Sequence, residues 1–231
     1  MPAADMGRVI MSILMVEDYL QTQGLRLSAE AVQVARLTAQ MVMDMGKASI
    51  EREVLWYAAD GVVLSEHLSP NEEREALLKQ IFMALDSVFS RHPAQSAVVY
   101  ALMPEPEPYL VRLAQQGERL EQHLPVSEES AWHYLPSRSA QTGWLNIVND
   151  VPHWLALEEL KGGHHVRSGS QMSLPVCTEQ GAVLGVVYVE QPHKHAFDDE
   201  AQTEWVALAL ALARPLQALL KAGEDVGDEC E

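Results

Sequence analysis

Apolar positions change their period near residue 93. Before it the spacing is helical. Leu27, Ala31, Val34, Thr38, Met41 and Met45 recur at steps of 4, 3, 4, 3 and 4, which places them along one stripe of an α-helix. Ser28 supplies an N-cap for that helix and Gly46 a C-terminal stop. The stripe suits either burial inside a bundle or pairing with a helix of another chain. A shorter helix is predicted over residues 8–21, and another over 51–64 that buries Leu55, Ala58 and Val62. The next begins at a capping box, with Ser69 as the cap, Pro70 at the first helical position and Glu72 closing the box. It carries Leu78, Ile81, Phe82, Leu85, Val88 and Phe89 until His92-Pro93 ends it.

After Pro93 strands and helices mix. Residues 96–102 (SAVVYAL) and 109–114 read as strands around the proline-broken turn MPEPEP. Residues 127–139 read as helix and 144–148 as extended. The stretch holding Gly162, Gly163 and Gly169 is too glycine-rich for a stable helix. Residues 171–178 and 182–190 form a hairpin around Glu179-Gln180-Gly181. A last helix over 198–220 buries Trp205, Leu208, Leu212, Leu216 and Leu219. Its acidic start suits the helix macrodipole, and Pro215 is expected to kink or shorten it. The predicted class is therefore α+β: a helical region over 1–92 for dimerisation or output, an antiparallel sheet with packed helices over 93–220, and an acidic tail over 221–231 expected to be disordered.

Composition excludes more than it identifies. The 231 residues carry 16 basic and 33 acidic side chains, a formal charge of −17. Residues 1–92 hold 8 basic and 13 acidic groups, residues 93–220 hold 7 and 15, and the tail holds 1 and 5, so no segment is basic. Nucleic acid and anionic membrane surfaces are thus excluded as charge-driven partners. The apolar run over residues 9–16 is too short to span a bilayer and lacks the flanks of a signal peptide. Two distant cysteines, Cys177 and Cys230, make no disulfide framework or Cys-rich zinc site, which fits a reduced, cytoplasmic protein.

Four stretches, in order, carry a family resemblance: SAQTGWLNIVND at 139–150, SQMSLPV at 170–176, VLGVVYVE at 183–190 and FDDEAQTEWVALA at 197–209. Together they resemble a GAF domain, a ligand-binding and dimerising sensor module, over residues 93–220. VARLTAQMVMDMG in the N-terminal part is weakly similar to an HD-type helix, but no His-Asp metal pair follows it. The resemblance implies a ligand held between the sheet and neighbouring loops, which makes residues 161–169 a candidate lid. A pocket needs apolar and aromatic walls with a few fixed polar groups. Trp132, Tyr134, Trp144, Trp154 and Tyr188 are candidate walls, while His165, Arg167, Ser170 and Gln171 are candidate polar contacts. Gly185, within an apolar run, points to close backbone approach or a strand bend, and Trp205 reads as core.

Particular activities of GAF-like proteins test poorly on these residues. Cyclic-nucleotide binders carry Asn-Lys after the last strand where this chain has Glu190-Gln191, although Phe197 and the acidic cluster after it remain. Bilin attachment calls for a cysteine near the pocket, often followed by histidine, and Cys177 is followed by Thr178. Free methionine sulfoxide reductases of this fold use several cysteines, of which the domain here has one. Seven of nine histidines lie in the GAF-like part. His193 and His195 would share a side of an extended segment and are the candidate metal ligands, without Cys or carboxylate partners at a diagnostic spacing. No nucleophile elbow, P-loop or HExxH motif is present.

The expected function is a non-enzymatic signalling or regulatory protein. Its GAF-like domain binds a small molecule of unknown identity and signals through the N-terminal helices as a homodimer, or through a separate signalling protein. The alternatives are a scaffold with a vestigial pocket and a metal-dependent enzyme built on the histidines. The cofactor is unknown.

Overall fold

A computed structural model describes residues 3–45, 50–56, 64–104 and 106–221. Helix α1 (Ala3–Thr22) turns back into α2 (Ala29–Met45), followed by short α3 (Arg52–Trp56) and long α4 (Glu72–Arg91). Strands β1 (Ser96–Met103), β2 (Tyr109–Gly117) and β3 (His123–Pro125) come next, then α5 (Ser130–His133), α6 (Leu135–Thr142), β4 (Asn146–Val148) and α7 (Val151–Ala156). A 3₁₀ turn (Gly163–Arg167) leads into β5 (Ser170–Cys177), β6 (Val183–Gln191) and the closing helix α8 (Asp199–Lys221).

The six strands form one antiparallel sheet in the order β3-β2-β1-β6-β5-β4. Because successive side chains alternate faces, the sheet has two interiors. Ala97, Val99 and Ala101 of β1 and Val187 and Val189 of β6 face a core built with α2, α4 and α8. Val98, Tyr100, Val186 and Tyr188 face a smaller core covered by Leu135, Ala140, Val151 and Leu160 from the α6, α7 and loop side. A Cβ on Gly185 would collide with the Tyr100 carbonyl, which explains the glycine in that apolar run. The larger core runs without a break from Val16, Val32 and Ile81 into the sheet, so the helices before residue 93 share the interior of the strands after it.

Several elements differ from the sequence expectation for local reasons. The cap of α4 is Asn71, not Ser69: its Oδ1 accepts from the Arg74 amide at 2.7 Å, and Pro70 stays outside the helix. The helix expected over 127–139 breaks into α5 and α6 at extended Tyr134, two residues before Pro136. Pro215 neither ends nor shortens α8, which continues to Lys221. Short β3 and α7 were not predicted. The first expected helix is longer than its pattern, and Ser28 caps α2 as expected, its hydroxyl accepting from the Ala31 amide. Gly46, Ala58, Val62 and the tail from 222 lie outside the described residues.

The stripe on α2 points outward. Val34, Met41 and Met45 are 64, 57 and 73% exposed, and Leu37 beside them is exposed as well. The helix packs inward through Ala29, Val32, Ala35, Ala39 and Met43 instead. No described helix is long and apolar enough to cross a membrane.

Candidate functional site

Alternation along β6 puts Val186, Tyr188 and Glu190 on the face of the smaller core, where Glu190 is 1% exposed. An unpaired buried carboxylate would be very costly, and here it is fully occupied. Arg167 grips it in two places: Nε donates to Oε2 at 2.7 Å and a terminal nitrogen donates to Oε1 at 3.1 Å. The Tyr188 hydroxyl donates to Oε1 at 2.9 Å. Glu121 stands 3.6 Å from the same guanidinium, so one cation faces two carboxylates. Burial alone would lower the Arg167 pKa, but hydrogen bonding to Glu190 and its charge carry it above its ordinary value. Burial and the Glu190 charge push the Tyr188 phenol well up, keeping it a donor.

Beneath this pair, His165 anchors the 3₁₀ turn. Its Nε2 lies 2.8 Å from the His133 carbonyl, which only accepts, so Nε2 carries the proton. Its Nδ1 then accepts from the Gln171 amide at 3.0 Å. Burial lowers the His165 pKa to about 4, with the neighbouring His164 acting in the same direction, and the ring is neutral at pH 7. The Gln171 amide also donates to Ser168 Oγ at 2.7 Å, while its Oε1 is buried with no partner. His164 stacks on Tyr134 with ring centroids 4.9 Å apart, and its Nε2 is likewise buried and unpartnered.

Two glycines frame the turn. Gly162 has φ +115°, and Gly169 packs so closely on residues 192–194 that a Cβ would lie within 2.5–2.7 Å of their backbone. The Gly169 amide donates to Gln191 O, and its carbonyl accepts from the Val151 amide. Between this flap, the start of α6 and the sheet lies a cavity of only about 10 Å³, room for a single water.

Of the residues the sequence singles out, Tyr134, His165, Arg167 and Tyr188 line this cavity. Gln171 holds His165 from below, and Ser170 donates to His193 O at 2.7 Å, outside it. Trp132 and Trp154 lie 5.4 and 5.9 Å from Arg138 instead of forming walls. Trp144 is 54% exposed and also lies outside. His193 and His195 are exposed in a turn, His195 at φ +53°, so the shared side expected of an extended segment is absent. The described residues contain no group of three or more side chains suited to hold a metal. Sequence reasoning did not place Glu190, Glu121, Tyr100 and His164 in the site. For Glu190 a signal exists: it sits in phase with Val186 and Tyr188 on a strand that is otherwise buried.

No family model matches the chain, and no curated protein matches it. Solved structures do. The GAF domain of Acinetobacter phosphoenolpyruvate-protein phosphotransferase has a TM-score of 0.57 at 13% identity, covering 82% of this chain and 95% of that one. A putative GAF sensor protein from Burkholderia vietnamiensis gives 0.55 at 16%, covering 82% and 98%. A type II free methionine-R-sulfoxide reductase from Thermoplasma acidophilum gives 0.54 at 17%, covering 64% and 97%. Coverage of 82% exceeds the span of residues 93–220, so the likeness takes in part of the helical region that shares the core. With two packed interiors about an antiparallel sheet, the chain carries a GAF-like domain.

Proposed function

We propose that this chain is a non-enzymatic regulatory protein that binds a small molecule beneath the 162–169 flap and transmits the change to its N-terminal helices. The observation that carries this reading is the ion pair of Arg167 with buried Glu190 in a cavity lined by tyrosine, histidine and leucine side chains. A buried pair gives little net stability over well-packed apolar side chains, and a flap between glycines suits a site that opens. A binding role is favoured over thiol catalysis by the position of Cys177, the free cysteine among the described residues. Cys177 pairs with Val183 at the hairpin end, while Gln171 pairs with Glu190 at the site. Six residues of strand separate them, about 20 Å. Burial also raises the thiol pKa, which disfavours the reactive thiolate.

The output surface we assign to the exposed stripe of α2, with a second copy as its occupant. In an antiparallel pairing, Ala31 meets Met41 and Val34 meets Thr38 of the other copy. Each smaller side chain then faces a longer or comparable one, and every contact occurs twice by symmetry.

The test is a thermal-shift panel of nucleotides, amino acids, metals, nitrate and haem, with native mass spectrometry of the purified protein. One saturable shift is expected. The small cavity favours a second reading, a scaffold with a vestigial pocket, and shifts that are flat throughout the panel would establish it over the first.

A further inference from the structure

We propose that the ligand of this pocket is a small organic cation bearing a guanidinium or primary ammonium group, and that Arg167 is its built-in stand-in. The inference rests on the pocket being a ligand site and adds which class of ligand enters it, and how. The charges are asymmetric: Glu190 and Glu121 flank one guanidinium, and the two histidines of the wall are kept towards the neutral form by burial.

The partners also differ in freedom. Glu190 sits on β6, hydrogen-bonded on both sides to β1 and β5, and is 1% exposed. Arg167 closes a short 3₁₀ turn between Gly162 and Gly169, and its side chain is 28% exposed. The cation can therefore withdraw while the carboxylate stays. An anion would have to compete with a fixed carboxylate for Arg167 and would meet the second one. The domain's excess of acidic groups further favours a positive ligand.

The remaining lining suits the same class. Tyr100, Tyr134 and Tyr188 are aromatic lining residues, the side-chain type whose π-face attracts a cation. In the wall His164 Nε2 is an unpaired polar atom, and Gln171 Oε1, buried behind His165 and outside the cavity, is an acceptor without a partner. With about 10 Å³ free, entry is by exchange: the ligand's charged end takes the place of the guanidinium, and the flap carrying Arg167 moves out.

The test titrates full-length wild type, Arg167→Met and Arg167→Met/Glu190→Gln with ethylguanidinium chloride and propylammonium chloride, with sodium phosphate as the anionic probe. The single variant is expected to bind one or both cations saturably, at least tenfold more tightly than wild type because its own cation no longer competes. The double variant is expected to lose that binding. Should Arg167→Met not fold, amide exchange of wild type at matched ionic strength decides: the cations must raise exchange at residues 163–169 above the sodium chloride control. If phosphate binds and the cations do not, the site is a ligand site of the opposite class and this inference falls alone. If no probe binds any of the proteins and exchange is unchanged, the inference falls, while the wider panel above separately decides the binding reading.

Discussion

At the scale of residues, the site is governed by two buried groups whose charge states oppose each other. Glu190 is matched by Arg167 and Tyr188, so removing the guanidinium leaves a buried carboxylate with the Tyr188 hydroxyl but no counter-charge. Arg167→Met is expected to lower stability by about 3 kcal/mol, read from the urea midpoint at constant m. Adding Glu190→Gln should recover part of that loss, because Gln keeps an acceptor for Tyr188 without a charge. His165 is the opposite case, a ring held neutral. Its pKa is about 4 in the fold against 6.5 unfolded, so the unfolded chain binds more protons between those values. Its contribution is fully present above about pH 6.5 and is lost as pH falls towards 4, a change of about 3 kcal/mol. His164, Arg167 and Glu121 face the same ring and shape the curve. His165→Gln should flatten that part of the stability–pH profile, since its amide can donate to His133 O without titrating.

At the scale of elements, much of the fold was legible. The β5–β6 hairpin, the strand over residues 96–102 and α8 follow from alternation, turn residues and an acidic helix start. What was not legible has identifiable causes. Period places residues on a stripe but does not say whether the stripe faces inward. Small residues Ala29, Ala35 and Ala39 let α2 approach its neighbours closely, and the bulkier Val34, Met41 and Met45 were left outside. On β5, Gln171, a candidate polar contact, and Ser173 beside it are fully buried because α6 and the flap cover them. The flap residues His165 and Arg167 and, on the floor, Tyr188 were thus legible, whereas Glu190 and Tyr100 beside it were not. Two predictions belong here. Met41→Glu with Val34→Glu should convert a dimer to a monomer in sedimentation, with a change in monomer stability within about 0.5 kcal/mol because both sites are exposed; an unmodified monomer at high concentration would sink the pairing. Gly169→Ala should cost about 1–3 kcal/mol in thermal or urea unfolding, since the added carbon meets the backbone of residues 192–194 and cannot be absorbed by a side-chain rotation.

At the scale of the molecule, the pocket and the α1–α2 turn are joined through one side chain. Gln23, between those helices, donates from Nε2 to the Gly143 carbonyl at 3.1 Å and accepts from the Leu145 amide at 2.6 Å. Gly143 directly follows α6, whose first residues Leu135 and Pro136 line the cavity. Any movement of α6 on opening of the flap would have this contact as a route to the turn that sets the start of α2. Spatial continuity alone does not establish coupling, but a thermodynamic cycle does, and it needs no knowledge of the ligand. Arg167→Met removes one tether of the flap, Gln23→Ala removes the link, and the dissociation constant of the proposed dimer is the readout. If the link carries the signal, Arg167→Met changes that constant several-fold in the wild-type background and leaves it nearly unchanged in the Gln23→Ala background. Equal shifts in both backgrounds would mean that pocket and helix respond independently. The measurement should be made at fixed ionic strength. The chain's charge of −17 and the acidic Glu30, Asp199 and Glu200 beside the stripe would set like-charge repulsion against the proposed pairing. Raising salt is therefore expected to tighten the dimer in every variant while leaving the difference between the two backgrounds intact.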